Sequence, residues 1–369
     1  MDLKNIQMVD TKNQYLKIKN EVDSAIQSVI DSALFIQGPA VKQFEHNVEK
    51  YLGTKHAIGC ASGTDALQIA MMALNIKPGD EILTTPFTFV ATTETIAILG
   101  AVPVYVDIDP KTFNIDVNKI EAKITPKTKA IMPVHLYGQP CDMDQIMNIA
   151  KKHKLFVIED AAQAMGAKYN EKMICTIGDI GCISFYPSKN LGAFGDGGML
   201  TTNDDALAEK IRMIISHGSK KKYYHTILGV NSRLDSIQAA ILDVKLKYLD
   251  KYCDARYNAA MKYNEKFKGI FETPYIMPGV KHIFHQYSIR VKNRDKMIEF
   301  LRSHGIPSMI YYPVPLHVQE AYKYDYKPGD YPVSEEIAKD IISLPMHTEL
   351  TDEQVDFIAS KVIEFNSLQ

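Results

Sequence analysis

Cysteine is scarce in this chain and badly spaced for metal or disulfide work. The five cysteines, Cys60, Cys141, Cys175, Cys182 and Cys253, are odd in number and form no C-x-x-C pair. That argues against a disulfide framework and a zinc signature, and it fits a reducing compartment. An excess of charge is missing too. The net charge of −2 leaves no electrostatic footprint for nucleic acid or an acidic membrane. No apolar run approaches a membrane span, and Met1-Asp2-Leu3-Lys4 opens onto charged residues with no apolar signal core. The expectation is a cytoplasmic protein with no metal, nucleic-acid or membrane partner. Neither G-x-x-x-x-G-K-S/T nor G-x-G-x-x-G occurs, so a single phosphate group is favoured over an NTP or a dinucleotide.

What the chain does contain is a regular alternation. Its 369 residues, 46% hydrophobic and 23% charged, are enough for a full core and two domains. Helical periodicity covers 14–33 and 40–52, with Ile18, Val22, Ile26, Val29 and Ile30 on one face. Short apolar strands are predicted at 56–59, 81–84, 102–106, 130–134, 156–159, 181–185 and 199–202. Helical patterns at 65–74, 90–99, 142–153 and 204–215 fill most of the gaps. Strand and helix alternating in this way predict an α/β domain with a seven-stranded, mostly parallel sheet covered on both faces. After Asp235 the texture becomes α+β. Helices are predicted at 237–250, 255–267, 294–304, 335–343 and 352–366, with strands at 285–291 and 308–312. The predicted division is an N-terminal helical segment 1–30 packing with the small domain, a large domain 31–248 and a small domain 249–369. The tyrosine-rich stretch 322–331 reads as a surface loop.

In open α/β sheets ligands sit beyond the carboxyl ends of the strands. The first strand delivers Ala61-Ser62-Gly63-Thr64-Asp65 directly before a helix, where free N–H groups and the helix dipole suit a phosphate. A plain cap by Thr64 or Asp65 is the simpler alternative. The second strand delivers Phe89, which either stacks on a flat ring or belongs to the core. The fifth delivers Asp160, and a carboxylate at the end of a buried strand needs a cation or strong donor unless it merely caps. Gln163 follows three residues on. The sixth delivers Ser184, Tyr186 and Lys189, and a lysine amine is either a solvated charge or a covalent catalyst. A phosphate cradle, a ring stacker, an anion for a pyridine nitrogen and an amine are together what pyridoxal phosphate requires.

On these residues the chain resembles the sugar aminotransferases related to the DegT, DnrJ, EryC and StrS proteins, within the fold-type I, aspartate aminotransferase-like, pyridoxal-phosphate enzymes. The likeness runs over nearly the whole length. It is densest at 61–65, 87–92, Pro133-Val134-His135-Leu136-Tyr137-Gly138, 159–163, 184–198 and Gly229-Val230-Asn231-Ser232-Arg233-Leu234-Asp235. The resemblance implies that Lys189 is the Schiff-base lysine and proton carrier, that Asp160 pairs with the pyridine nitrogen, and that Gln163 meets the ring hydroxyl. It implies Phe89 as the stacker and Ser62, Gly63, Thr64 and Ser184 as the phosphate holders. Asn231 and Arg233 would reach into the neighbouring subunit of a homodimer with shared sites. The reaction implied is transfer of an amino group from glutamate to a nucleotide-linked keto sugar, with pyridoxamine phosphate between the half-reactions.

Tyr186 and the run Asn190 to Gly198 resemble the branches acting at C-3 of the sugar. Within these, UDP-2-acetamido-2-deoxy-3-oxo-D-glucuronate is the expected substrate, for lipopolysaccharide or other surface polysaccharide. A dTDP-3-keto-6-deoxyhexose, or a non-catalytic cofactor-binding regulator, is the alternative. Tyr186, Arg233, Tyr311, Tyr312 and His317 are the expected sugar contacts. Tyr311 stands where related 3-aminating enzymes often carry histidine. Lys220-Lys221-Lys222 could meet a diphosphate or be a solvated charge run.

Overall fold

The computed structural model describes residues 6–322 and 325–368. The first five residues of the expected N-terminal segment, and Lys323 and Tyr324 of the tyrosine-rich stretch, lie outside them. The seven expected strands form one sheet: β1 (His56–Cys60), β2 (Glu81–Thr84), β3 (Val102–Tyr105), β4 (Thr128–Ile131), β5 (Phe156–Asp160), β6 (Ile180–Ser184) and β7 (Gly198–Thr202). Their order is β1-β7-β6-β5-β4-β2-β3. Pairing is parallel from β3 to β6, and β7 runs antiparallel to both its neighbours.

Alternate residues of each strand serve opposite faces. Ala57, Leu83, Ile131, Val157 and Ile183 pack towards the helices Pro39–Leu52, Met143–His153 and Ser236–Leu246. Their neighbours Ile58, Ile82, Ala130, Ile158 and Cys182 pack towards Gly63–Ala73, Ala91–Ile98 and Asp205–Ile214. Register brings the carboxyl ends together: Cys60 pairs with Gly198, Gly198 with Ser184, and Cys182 with Asp160. Three loops that carry chemistry therefore leave one edge of the sheet side by side.

The remaining chain builds a second core around Tyr263, Phe267, Phe284, Tyr287, Ile342 and Ile358. Its strands are β8 (Tyr287–Arg290) and β9 (Ile341–Leu344), antiparallel, flanked by the helices Leu249–Phe267, Arg294–Ser303 and Asp352–Ser367. Here two expectations fail. Residues 308–312 form a single bridge, Met309 to Ser343, rather than a strand; Pro307 and Pro313 bound the segment and supply no N–H. The helix predicted over 335–343 spans Pro332–Asp340, and the β-branched pair Ile341-Ile342 leaves it to pair with β8. The N-terminal segment divides its contacts. Ile6 enters the second core, whereas Ile18 and Val22 pack on Ile241 and Val244 of Ser236–Leu246. Among the described residues no helix is long and apolar enough to cross a membrane, and no His/Cys/Asp/Glu cluster could hold a metal.

The two cores are tied at Asp107, just beyond β3. Its carboxylate accepts the backbone N–H groups of Val333 (3.1 Å) and Ser334 (3.0 Å) and the Ser334 hydroxyl (2.7 Å). Asp107 thus caps, from outside, the helix Pro332–Asp340 that runs directly into β9 of the second core. Asp107→Ala should cost about 1–2 kcal/mol of stability, read as a lower urea midpoint; an unchanged midpoint would show the tie to be idle.

Candidate active site

The residues singled out at the ends of β1, β2, β5 and β6 line one cavity of about 430 Å³. Ser62 caps the helix Gly63–Ala73, its hydroxyl accepting the Asp65 N–H at 3.1 Å. The cap is therefore Ser62 rather than Thr64 or Asp65, and the helix opens on the N–H groups of Gly63 and Thr64. Gly63 is required by close approach, since a Cβ there would lie 2.6 Å from the Cβ of Ser184. That contact sets the Ser184 hydroxyl beside the helix N-terminus.

Asp160, 4% exposed, ends β5. Its carboxylate accepts the Thr92 hydroxyl at 2.8 Å and the Ala162 N–H at 3.2 Å. Burial raises its pKa, and the Thr92 hydroxyl, the Ala162 amide, Lys189 and His135 oppose the rise in that order. Behind it Glu159 is fully buried and turned the other way. Its oxygens accept the N–H groups of Cys175, Ile177 and Gly178 at 2.8–2.9 Å and meet His135 Nε2 at 3.2 Å. His135 Nδ1 accepts the Cys141 N–H at 3.0 Å, so the Nε2 faces Glu159 as the donor.

Lys189 follows β6 in a loop that folds back on itself. Lys189 N–H donates to Tyr186 O, Ala193 N–H to Phe185 O and Phe185 N–H to Gly197 O, each at 2.8 Å. Gly192 permits the closure: its Cβ would stand 2.3 Å from the Pro187 oxygen. The Lys189 side chain keeps partial access to the cavity, but burial of the amine lowers its pKa to about 8, against the pull of Asp160. Gln163 Oε1 accepts the Tyr137 N–H at 2.7 Å, and its Nε2 donates to the Tyr312 hydroxyl at 3.1 Å. Phe89 and Tyr186 line the same cavity while 52% and 56% exposed. Tyr311 and Tyr312 close it from a loop packed against Phe87, Val134 and Tyr137.

One residue expected in this cavity stands elsewhere. His317 is not brought to the cavity. It is fully buried, with Nε2 3.0 Å from Glu335 Oε1, and packs between Tyr105 and Tyr331. The turn Leu316–Val318 turns it inward, pinned by Leu316 N–H to Pro86 O at 2.8 Å. Asn231 and Arg233 flank the buried Ser232, which bonds Asp65 at the helix N-terminus, and neither lines this chain's cavity. Conversely, Thr88, Thr92, Asp196, His285 and Gln286 line it and were not expected. Thr88 and Thr92 carried a signal, a four-residue spacing at a helix start. His285 and Gln286 come from the second core and carried none. Burial holds His285 well below the usual histidine pKa, and its Nδ1 contacts Asn190 Oδ1 at 3.1 Å.

This donor set fits pyridoxal phosphate. An aromatic half exposed inside a cavity offers a face to a flat ring. A buried carboxylate held only by neutral hydrogen-bond donors can take a pyridinium N–H, and a helix N-terminus beside a serine suits a phosphate.

The sheet, the second core and the cavity between them define the fold of the pyridoxal-phosphate-dependent aminotransferases. NtdA from Bacillus subtilis, solved with bound PMP, superposes with a TM-score of 0.92 at 32% identity, over 99% of this chain and 86% of that one. DesV of S. venezuelae, solved with a ketimine intermediate, gives 0.96 at 38%, over 98% of each. Residues 16–363 match the DegT/DnrJ/EryC1/StrS aminotransferase family, and the chain belongs to it. It is a pyridoxal-phosphate-dependent sugar aminotransferase. Among its relatives are a pleiotropic regulatory protein of Geobacillus stearothermophilus (50% identical, 98% of each chain) and the UDP-2-acetamido-2-deoxy-3-oxo-D-glucuronate aminotransferase of Pseudomonas aeruginosa (46%, 96% of this chain and 99% of that one). A third is the UDP-N-acetyl-3-dehydro-α-D-glucosamine 3-aminotransferase of Acidithiobacillus ferrooxidans (46%, 97% of each).

An amine with a pKa near 8 is about half neutral at that pH, whereas an ordinary lysine is less than about one-hundredth neutral. A limiting amount of an amine-reactive reagent should therefore acylate Lys189 of the cofactor-free protein ahead of the surface lysines, with an onset near pH 8 in peptide maps. Labelling of Lys189 only above pH 10 would contradict this environment. Because the folded value is depressed, the charged amine opposes folding, so the stability of the cofactor-free protein should rise between about 8 and 10.5.

Proposed function

We propose that this aminotransferase moves an amino group from glutamate to C-3 of a UDP-linked 3-keto sugar, with UDP-2-acetamido-2-deoxy-3-oxo-D-glucuronate the best-supported substrate. The observation that carries the chemistry is the Lys189 amine, lowered to about 8, in one cavity with Asp160, Phe89 and the helix N-terminus. Relatives named for UDP-linked 3-keto sugars at 46% identity over nearly the whole chain support the substrate class.

Pyridoxal phosphate, when bound, supplies an electron sink for negative charge at the carbon bearing the amine. Lys189 Nζ would make the covalent attachment and then carry the proton on and off that carbon. Asp160 would hold a proton on the ring nitrogen. Phe89 would offer its face to the ring, and Gln163 would donate to the ring hydroxyl. The N–H groups of Gly63 and Thr64, with the Ser62 and Ser184 hydroxyls, bind the phosphate. Tyr186, Tyr311 and Tyr312 form the wall against which the sugar lies. His317 has no part in this reading, because its ring is buried against Glu335.

We further propose a homodimer, with Asn231 and Arg233 completing the partner's site. Leu34, Phe35 and Ile36 are 44–54% exposed, and Leu228 is 85% exposed. Ile36 bridges to Asp235, two residues past Arg233, and Gln37 Nε2 donates to Ser216 Oγ at 3.2 Å. An apolar patch of this kind suits burial against a second copy. The function and a cytoplasmic setting fit supply of an amino sugar for surface polysaccharide.

The relative named as a regulatory protein supports a second reading, a cofactor-binding regulator without turnover. The purified protein should be yellow and lose that colour when glutamate is added. A protein indifferent to every amino donor would leave the regulatory reading. Lys189→Ala should abolish turnover. In reverse transamination, UDP-linked 3-amino uronates should react ahead of dTDP-linked 3-amino-6-deoxyhexoses; the opposite ranking would overturn the substrate. Mixing protomers of Lys189→Ala and Asn231→Ala should restore part of the activity, and no recovery would refute shared sites.

A further inference from the structure

We propose that Thr88 and Thr92 form a directed chain of hydroxyls that keeps Asp160 ionised, which makes Thr92 the positioning residue of the site's counter-ion. This rests on the proposed role of Asp160. The geometry fixes the direction. Thr92 Oγ1 lies 2.8 Å from Asp160 Oδ2 and 3.1 Å from Thr88 Oγ1. An ionised carboxylate can only accept, so the one hydroxyl hydrogen of Thr92 goes to Asp160. Thr92 then has only lone pairs to offer Thr88, and Thr88 must donate to it. Both threonines are buried, 2% and 1% exposed, so solvent does not compete for either hydrogen. The chain runs from Thr88 through Thr92 to the carboxylate, and each bond polarises the next.

The same helix supplies a contrast. Thr95 makes the ordinary choice, donating its hydroxyl to the Ala91 carbonyl four residues back at 2.9 Å. Thr92 has that option in principle and turns to Asp160. Burial works against the charged carboxylate, and the Thr92 hydroxyl is the largest of the groups opposing burial.

Apart from the Ala162 N–H, which donates to the other carboxylate oxygen at 3.2 Å, the groups around Asp160 leave this task to the threonines. Lys189 and His135 act on it only through space. Tyr312 and the thiols of Cys141, Cys175 and Cys182 have pKa values pushed up by burial, so they stay neutral at ordinary pH. Glu159 spends its oxygens on His135 and three backbone amides.

Thr92→Val keeps the side-chain shape and removes the donor. In the cofactor-free full chain, infrared titration of the Asp160 carboxyl, assigned by its loss in Asp160→Asn, should show the midpoint moved up by about one to two pH units. Thr92→Ser should restore it, and Thr88→Ala should move it less, in the same direction. In the loaded enzyme, Thr92→Val should lower kcat about tenfold with little change in KM for the keto sugar, and Thr92→Ser should recover most of the loss. An Asp160 midpoint unchanged in Thr92→Val overturns the proposal. A shifted midpoint with unimpaired turnover in both Thr92→Val and Asp160→Asn would instead keep the hydroxyl chain and refute the role given to Asp160.

Discussion

A carboxylate buried at the end of a central strand is costly, and the site is arranged around meeting that cost at Asp160. β5 carries it to the edge of the sheet where β1 and β6 also end. The first turn of the helix Ala91–Ile98 supplies one hydroxyl, and Ala162 supplies one amide. Neither is a cation, so the carboxylate keeps its charge available for a ligand. The adjacent Glu159 is fully satisfied by backbone amides and His135. Two neighbouring acids thus have opposite duties: one locks the loop 175–178 to β5, and the other faces the cavity.

The amine depends on the same arrangement. Lys189 lies on a loop closed by three backbone hydrogen bonds, and Gly192 packs on the Pro187 carbonyl at a distance that no side chain tolerates. Desolvation in the closed cavity lowers the amine to about 8, with Asp160 limiting the drop. The amine and the buried carboxylate are therefore coupled electrostatically. Tyr186, Tyr311 and Tyr312 stand further out on the same cavity.

Much of the sheet was legible because buried parallel strands are short apolar runs between helical patterns, and all seven overlap the predicted runs, the fourth shifted towards the N-terminus to Thr128–Ile131. That Lys189, Asp160, Gln163, Phe89, Ser62 and Ser184 would line one cavity was legible for a related reason: ligands gather at strand ends, and the residues at those positions converge. The second core was less legible. Ile341 and Ile342 extend a helical pattern by periodicity, and only pairing with Tyr287–Arg290 makes them a strand. His317 looked like a site residue because it follows a loop that does reach the cavity. Its burial depends on Glu335 and Tyr331, contacts that no local pattern contains.

From the sequence alone follow the α/β alternation, the set of groups at the strand ends and, through their resemblance, the family. These are properties of residue type and spacing along one chain. Only the tertiary structure decides that Thr92 turns to Asp160 rather than to its own helix. It also decides that His285 and Gln286 enter from a distant segment and that burial brings the Lys189 amine to about 8. The physical reason is that a hydrogen bond's direction and a group's desolvation are set by neighbours in space, and those neighbours come from elements far apart in the chain.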